Sequence, residues 1–256
     1  MMVTKGRSAT EAELAHGALD ERAQGEGGTV AEEQGQARHL TLDLGRVLRY
    51  FQHKDPQMVE AARREFLFEV SPVAERFRDP AQDDTDVLER MFGEWFMYDY
   101  NMGAGTPLEL YADLRPEDLT DVEAFAFEDL AATQFFSHFW VYDQDPVAGT
   151  ALLCEAVDRV FIPVVDSTIA THPSWQEGLL SVRLARIADG WHVVGQMPMH
   201  DTAPRRPDRA SVYRGTGYYL DQIPPAADEH WDFIVMAREL VGDKGGLRNA
   251  RIVDLK

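Results

Sequence analysis

The residue of this chain best placed to do chemistry is Asp99, a carboxylate set among aromatic side chains. Trp95 lies one helical turn before it, and Tyr100 follows it directly. Burial beside aromatic rings raises the pKa of a carboxyl group and lets it act as an acid or base. A carboxylate there also serves structure, by capping the glycine-rich turn that follows or by pairing with an arginine. We favour the structural role, and we keep exposed members of the set Trp95, Asp99 and Tyr100 as binding candidates.

A basic, aromatic stretch toward the C-terminus is a second candidate. Its arginines are Arg205, Arg206, Arg209 and Arg214, with Tyr213, Tyr218 and Tyr219 close by. Arginines interleaved with aromatic rings stack on single-stranded bases or grip a phosphate. The alternative is a solvated linker that balances its acidic neighbours, because four arginines make a small electrostatic footprint.

Trp175 is a third candidate, in the segment His172-Pro-Ser-Trp175 between two expected strands. A tryptophan in a proline-containing loop is a plausible anchor for a binding partner. It could equally plug one end of the β-module.

The sequence lacks the motifs of the common catalytic and cofactor sites. Its single cysteine, Cys154, excludes an intramolecular disulfide and a cysteine-based zinc site. The histidines have no metal-ligand spacing, and neither a nucleophile elbow nor a phosphate-binding glycine loop occurs. We therefore expect no metal and no cofactor, we assign no catalytic residue, and we leave open whether the protein is an enzyme.

An excess of acidic residues gives the chain a net charge of −19 and an isoelectric point near 4.7. This field repels phosphate backbones, so it disfavours bulk nucleic-acid binding, although a local RNA contact through the arginines stays open. It also disfavours anionic membrane surfaces, and no apolar run is long enough to span a bilayer. Because the N-terminus has no signal-peptide core, we expect a cytoplasmic protein. The acidic charge allows a basic protein as its partner, so we expect the partner to be another protein.

Four regions position these residues. Residues 1–36 are poor in large apolar side chains and are expected to form a disordered acidic, glycine-rich tail. Residues 37–133 are expected to form a helical domain, in which Thr106–Glu109 and Thr120–Glu123 are capping boxes that begin two helices. Residues 134–200 predict a small β-module, and residues 201–256 a basic linker with a C-terminal helix.

Five short strands are expected in the β-module, all antiparallel and arranged as a small barrel or curled sheet. Their expected ranges are 135–142, 150–156, 159–165, 179–187 and 191–196. Ala188-Asp-Gly190 predicts a hairpin between the last two. Along the fourth strand apolar residues alternate with Ser181, Arg183 and Ala185, which predicts a half-buried strand. The fold class is therefore α+β.

The pattern Phe92, Trp95, Phe96 and Asp99, followed by Gly105, Thr106 and Glu109, resembles a segment in a loose group of uncharacterised bacterial proteins. In that group a small β-module follows, as it does here through Gly178–Arg183, Gly190-Trp191 and Gly195. Many relatives carry a C-terminal SEC-C zinc motif, which this chain lacks, so the resemblance implies no zinc here. It covers roughly residues 88–196 and implies a family without implying a mechanism.

Three hypotheses of different classes follow. The first is a non-catalytic protein-interaction or regulatory module. The second is a module for single-stranded RNA that uses the arginine stretch, and the third is an enzyme with Asp99 as its acid or base. An acidic mimic of nucleic acid is a further alternative, which would require the carboxylates to line a single face.

Overall fold

The computed structural model describes residues 42–76, 84–188, 190–209 and 233–253, which belong to one compact unit that begins at Leu42. The expected tail over residues 1–36 lies outside the described residues, as does Arg214. The α+β fold class is confirmed, because helices come first, a mixed sheet follows and one further helix lies near the C-terminus.

Five helices precede the sheet, and local sequence signals explain how three of them begin. They are α1 (Gly45–Lys54), α2 (Pro56–Val70), α3 (Asp84–Tyr98), α4 (Pro107–Leu114) and α5 (Asp121–Thr133). Asp55 caps α2 by accepting a hydrogen bond from the backbone N–H of Met58. Both predicted capping boxes are confirmed, since each threonine accepts from the glutamate N–H three residues on and each glutamate accepts in return.

Seven strands form one sheet in the order β1-β2-β3-β5-β4-β6-β7, and an extra β1–β4 pairing closes five of them into a ring. The strands are β1 (Phe135–Asp145), β2 (Thr150–Glu155), β3 (Phe161–Val165), β4 (Leu179–Ile187), β5 (Gly190–Val193), β6 (Met199–Asp201) and β7 (Ala250–Ile252). The expectation that all strands are antiparallel is wrong at one place, because β3 and β5 run parallel. That contact is a single residue pair, Val164 with Trp191, so the ring is a curled sheet and not a clear barrel.

Some elements lie where the sequence predicted loop or linker. A short helix, α6 (Ser167–Thr171), and a 3-10 turn, Pro173–Gln176, occupy the expected loop around Trp175. Asp166 caps α6 through the N–H of Ile169. Strand β6 pairs with β4 and reaches Asp201, so the first residue assigned to the basic linker belongs to the sheet.

The helices and the sheet share one hydrophobic core. Side chains of α1 to α5 and of α7 (Phe233–Val241) pack with sheet residues that include Phe136, Ala185 and Ala250. The prediction of a half-buried β4 is wrong for this reason, because Ser181, Arg183 and Ala185 are as buried as the apolar residues between them. A second cluster fills the inside of the curled sheet.

Candidate functional site

Arg183 is the centre of a buried polar cluster that joins the helices to the sheet. Its Nη2 donates to Asp99 Oδ2 at 2.6 Å, its Nε donates to Glu94 Oε1 at 3.3 Å, and its Nη1 donates to Gln134 Oε1 at 2.6 Å. The guanidinium also lies over the ring of Tyr98, 4.5 Å from its centroid. All three guanidinium nitrogens therefore have partners although the side chain is only 2% exposed.

Charge balance in this cluster explains how a buried arginine is tolerated. Burial disfavours the charged form of Arg183, but the carboxylates of Asp99 and Glu94 outweigh that effect and its pKa stays above the ordinary value. Burial also raises the pKa of Tyr98 far above its ordinary value, so its hydroxyl stays protonated and donates to the Val194 carbonyl at 3.0 Å.

Glu94 anchors helix α3 to the chain that follows β5. Its Oε2 accepts hydrogen bonds from the backbone N–H groups of Gln196 at 2.6 Å and Met197 at 2.8 Å. A Cβ atom on Gly195 would lie 2.8 Å from Glu94 Oε1 and 3.1 Å from the Arg183 Cβ, so a larger residue there would displace the Glu94 carboxylate. The cluster thus fixes the junction between the helices and the sheet.

Asp99 occupies the structural role that its sequence context favoured. Its carboxylate is paired with Arg183 at the end of α3, and its side chain is 28% exposed. An acid or base must exchange protons with a substrate, and an ion pair with a buried guanidinium opposes protonation of the carboxylate. The geometry therefore favours Asp99 as a structural residue over Asp99 as a catalytic one.

The two aromatic candidates beside Asp99 belong to the core. Trp95 is 7% exposed and packs against Phe66 and Tyr100, with ring centroids 5.6 Å and 5.2 Å away. Tyr100 is half-buried and stacks on Phe96. Little of the Trp95 ring is left for a partner to contact.

Trp175 is also buried, with 6% exposure, and it packs into the cluster inside the curled sheet. The ring of His172 stacks on it, with the centroids 4.6 Å apart. This placement matches the predicted alternative in which Trp175 plugs the β-module.

The described arginines of the basic stretch differ in their surroundings. Arg206 binds the Val141 carbonyl and lies over the ring of Tyr142, with its guanidinium carbon 5.0 Å from the centroid. Arg209 pairs with Asp143 at 2.5 Å. Arg205 is exposed. Two of these arginines therefore fasten the chain after β6 to strand β1.

Helices α4 and α5 carry a feature that sequence reasoning missed, a set of exposed apolar side chains. Leu114, Val122 and Phe125 are 58%, 64% and 60% exposed. Val122 and Phe125 are three residues apart on α5 and therefore share a face. The guanidinium of Arg115 lies 5.4 Å from the Phe125 centroid and donates to Glu128 at 3.0 Å, which places the end of α4 beside α5.

We call these three residues and the carboxylates around them the α4–α5 face. The opposite side of α5 is apolar as well, with Ala124, Phe127 and Leu130 buried in the shared core or close to it. Apolar side chains therefore lie on two sides of α5, and the described core covers only one of these sides. The stretch that carries the exposed apolar set is rich in acidic residues, which include Asp113, Glu117, Asp118, Asp121, Glu123, Glu128 and Asp129. Arg115 is the one basic residue of residues 107–133, and it pairs with Glu128, while Arg46 of α1 pairs with Asp118 and Glu123.

Two sequence signals mark residues that are not among the candidates named from the sequence. Glu94 is a carboxylate in the middle of a helix whose neighbouring side chains, from Met91 to Tyr98, are nearly all large and apolar. A carboxylate in such a place needs a buried partner. Phe125 and Val122 fall outside the i, i+3, i+4 pattern of the residues that α5 buries.

Among the described residues no group of three or more histidine, cysteine or acidic side chains is arranged to hold a metal ion. The same part of the chain contains no helix with the length and apolar character needed to cross a membrane.

Comparison of this chain with protein-family models, with curated proteins and with solved structures gives no match. The resemblance to the bacterial group with the SEC-C relatives therefore stays a prediction. The function must be inferred from the geometry of the chain itself.

Proposed function

We propose that this chain is a cytoplasmic, non-catalytic protein-interaction module, and that its α4–α5 face binds a basic, partly apolar segment of another protein. The observation that carries the proposal is the exposure of Leu114, Val122 and Phe125 on helices whose inner sides are already packed. Exposed apolar side chains rimmed by polar residues are typical of protein interaction sites.

Charge indicates what kind of partner fits. The carboxylates around the face add to a chain whose net charge is already −19, so an acidic or phosphate-rich partner would be repelled. A segment with lysine or arginine beside apolar residues complements both properties, because its cations meet the carboxylates while its apolar side chains cover Val122 and Phe125. An amphipathic helix laid on the face has this chemistry.

The rival hypotheses have less support from the described contacts. Catalysis by Asp99 would require its carboxylate to leave Arg183. Among the described arginines of the basic stretch, Arg206 and Arg209 are engaged with strand β1, which leaves Arg205 as the exposed one for an RNA contact. The α4–α5 face requires less rearrangement, because Val122 and Leu114 are already exposed. A basic partner would compete there only with the partly exposed pairs that Arg46 and Arg115 form with Asp118, Glu123 and Glu128.

A basic amphipathic peptide tests the proposal directly. The full chain is titrated into a fluorescently labelled lysine–leucine helical peptide, and binding is followed by anisotropy. The variant Val122→Ser/Phe125→Ser is expected to bind at least about tenfold more weakly, because truncating a central aromatic contact costs about 2 kcal/mol or more. The matched control is Val147→Ser, which alters a valine that is 98% exposed at the β1–β2 turn.

Three results would contradict the proposal. The double variant could bind the peptide as tightly as the wild type, Val147→Ser could weaken binding equally, or a peptide with its leucines replaced by serine could bind just as well. In the cell, a partner captured by the wild-type chain should be lost from the double variant and kept by Val147→Ser.

A further inference from the structure

A cleft lies between the 3-10 turn that carries Trp175 and the sheet edge formed by β6 and β7. Its volume is about 640 Å³, within the range of pockets that hold small organic ligands. The buried side chains of Trp175 and His200 line it together with exposed residues, which are Ser174, Glu177, Thr202, Arg248, Asn249 and Arg251.

Strand pairing explains why a histidine and an arginine meet in this cleft. His200 on β6 is directly opposite Arg251 on β7, and directly opposed residues of an antiparallel pair share a face. Because side chains alternate along a strand, Asn249 and Arg251 point to the cleft while Ala250 and Ile252 pack on the shared core. The short strand β7 therefore supplies both a core face and a polar face.

The histidine is held in place by the turn beside it. His200 Nε2 lies 2.6 Å from the carbonyl oxygen of Glu177 and donates to it. Gly178 follows with a φ of +90°, and a Cβ atom there would lie 2.3 Å from the Asp201 carbonyl oxygen and 2.9 Å from His200 Nε2. Only glycine permits this approach, so the turn presses directly against β6.

The arginines at the cleft are not neutralised by the parts of the chain that the structure describes. Within residues 42–76, 84–188, 190–209 and 233–253, neither Arg248 nor Arg251 forms an ion pair, whereas Arg46, Arg63, Arg115, Arg183, Arg209 and Arg238 do. Of the described residues that line the cleft, Glu177 alone carries a carboxylate. Two guanidinium groups beside one carboxylate leave a positive site on a chain that is otherwise strongly acidic.

We propose that this cleft binds the oxyanion group of a small organic ligand, a phosphate ester or a carboxylate. Arg248 and Arg251 would hold the oxyanion, because guanidinium groups bind both kinds of anion through paired N–H donors. Asn249 adds a side-chain amide donor, and the Val253 and Trp175 side chains provide apolar contact for the body of the ligand. This site is separate from the α4–α5 face and does not depend on the function proposed there.

Titration of the full, 15N-labelled chain with phenyl phosphate and, separately, benzoate tests the proposal at fixed ionic strength. Benzyl alcohol is the uncharged control ligand. The readout is the indole N–H signal of Trp175, assigned among the five tryptophans by the variant Trp175→Phe. We expect one anion or both to shift this signal saturably, with the stronger of the two identifying phosphate or carboxylate as the preferred group.

Matched variants separate a built site from general charge. The variant Arg248→Ala/Arg251→Ala should weaken anion binding at least about tenfold, since charge-assisted hydrogen bonds are lost. Glu177→Gln should tighten it severalfold by removing a repulsive charge. Arg64→Ala, which removes an exposed arginine of helix α2, should change it less than twofold.

The proposal is overturned if neither anion shifts the Trp175 signal saturably, or if benzyl alcohol does so equally. It is also overturned if Arg64→Ala weakens binding as much as the double variant, because net charge alone would then explain the attraction. Since Glu177→Gln is expected to act in the opposite direction, a loss of folding in the double variant would not hide the outcome.

Discussion

Arg183 and Arg251 lie on strands of the same sheet, yet their guanidinium groups are in opposite situations. Arg183 is buried, and three side chains accept from its three nitrogens. Arg251 is exposed at a cleft and has no ion pair among the described residues. A buried charge persists only when it is paired and hydrogen-bonded. Each Arg183 nitrogen already has a partner inside the protein, and its charge is balanced by Glu94 and Asp99, so this cluster is built for structure and not for a ligand. The guanidinium groups at the cleft have no ion pair with any described residue, so they keep the capacity to bind an anion.

The same contrast separates the aromatic candidates from the α4–α5 face. Trp95 and Trp175 are both binding candidates by residue type, but both are buried and pack in the two cores, and only Trp175 also lines the cleft. Phe125 has no sequence feature that marks it as a binding residue, yet it is 60% exposed. Residue type alone therefore does not show whether an aromatic side chain packs in a core or is available to a partner. That depends on which surfaces the rest of the chain covers.

The largest expected effect comes from breaking the buried cluster. Arg183→Met should lower the free energy of unfolding by about 3–5 kcal/mol, because it leaves the carboxylate of Glu94 buried without its cation. Urea denaturation followed by circular dichroism measures this change. The matched control is Arg186→Met on the same strand, where the arginine is exposed and the change should be small. Equal losses in the two variants would remove the distinction between paired and unpaired arginines.

Asp99→Asn should have a smaller effect, about 1–2 kcal/mol of unfolding free energy, because it weakens one charge-assisted hydrogen bond. Asp99 is partly exposed, and Arg183 keeps its contacts to Glu94 and Gln134. The same denaturation experiment measures the loss. A variant with unchanged stability would argue against the structural role of Asp99 and would revive its role as an acid or base.

The sequence predicted the features that depend on neighbouring residues. The capping boxes at Thr106 and Thr120 are confirmed, because both partners of each box lie within one helical turn. The hairpin at Gly190 is confirmed for a similar reason, since β4 and β5 pair from Ile187 and Gly190 outward.

Features that depend on distant contacts could not be predicted in the same way. Alternation along β4 predicted an exposed Arg183, and its burial follows from helices that are about 90 residues away in the chain. The His200–Arg251 pair joins strands on either side of helix α7, and no local pattern marks it. The resemblance matched Asp99, Arg183 and Gly195 individually but gave no reason why they meet.

His138 provides a third kind of buried group, one whose hydrogen-bond partner at Nδ1 is the neutral hydroxyl of Ser181. Burial lowers the pKa of His138 from 6.5 to about 4. The unfolded chain therefore binds more protons than the folded chain between these values, and stability is lost as the pH falls through 6.5 toward 4.

Lowering the pH from 7.5 to 5.5 should reduce the unfolding free energy of the wild type by about 1 kcal/mol through His138. Both values stay above the isoelectric point near 4.7. In the variant His138→Gln, the fall in unfolding free energy over the same pH interval should be smaller than in the wild type by this amount. Denaturant titrations at each pH measure both falls. Parallel pH dependences for wild type and variant would show that His138 is not buried in its neutral form.

The smallest expected effect on stability, and the sharpest test of the comparison, comes from Arg248→Ala/Arg251→Ala. Because both arginines are exposed and unpaired within the described residues, their loss should change the unfolding free energy by no more than about 0.5 kcal/mol. Phenyl phosphate should then raise the melting temperature of the wild type and leave that of the double variant unchanged, since a ligand stabilises only the state that binds it. A large loss of stability without ligand would place these arginines with Arg183, as structural charges, and would leave the cleft without its proposed anion donors.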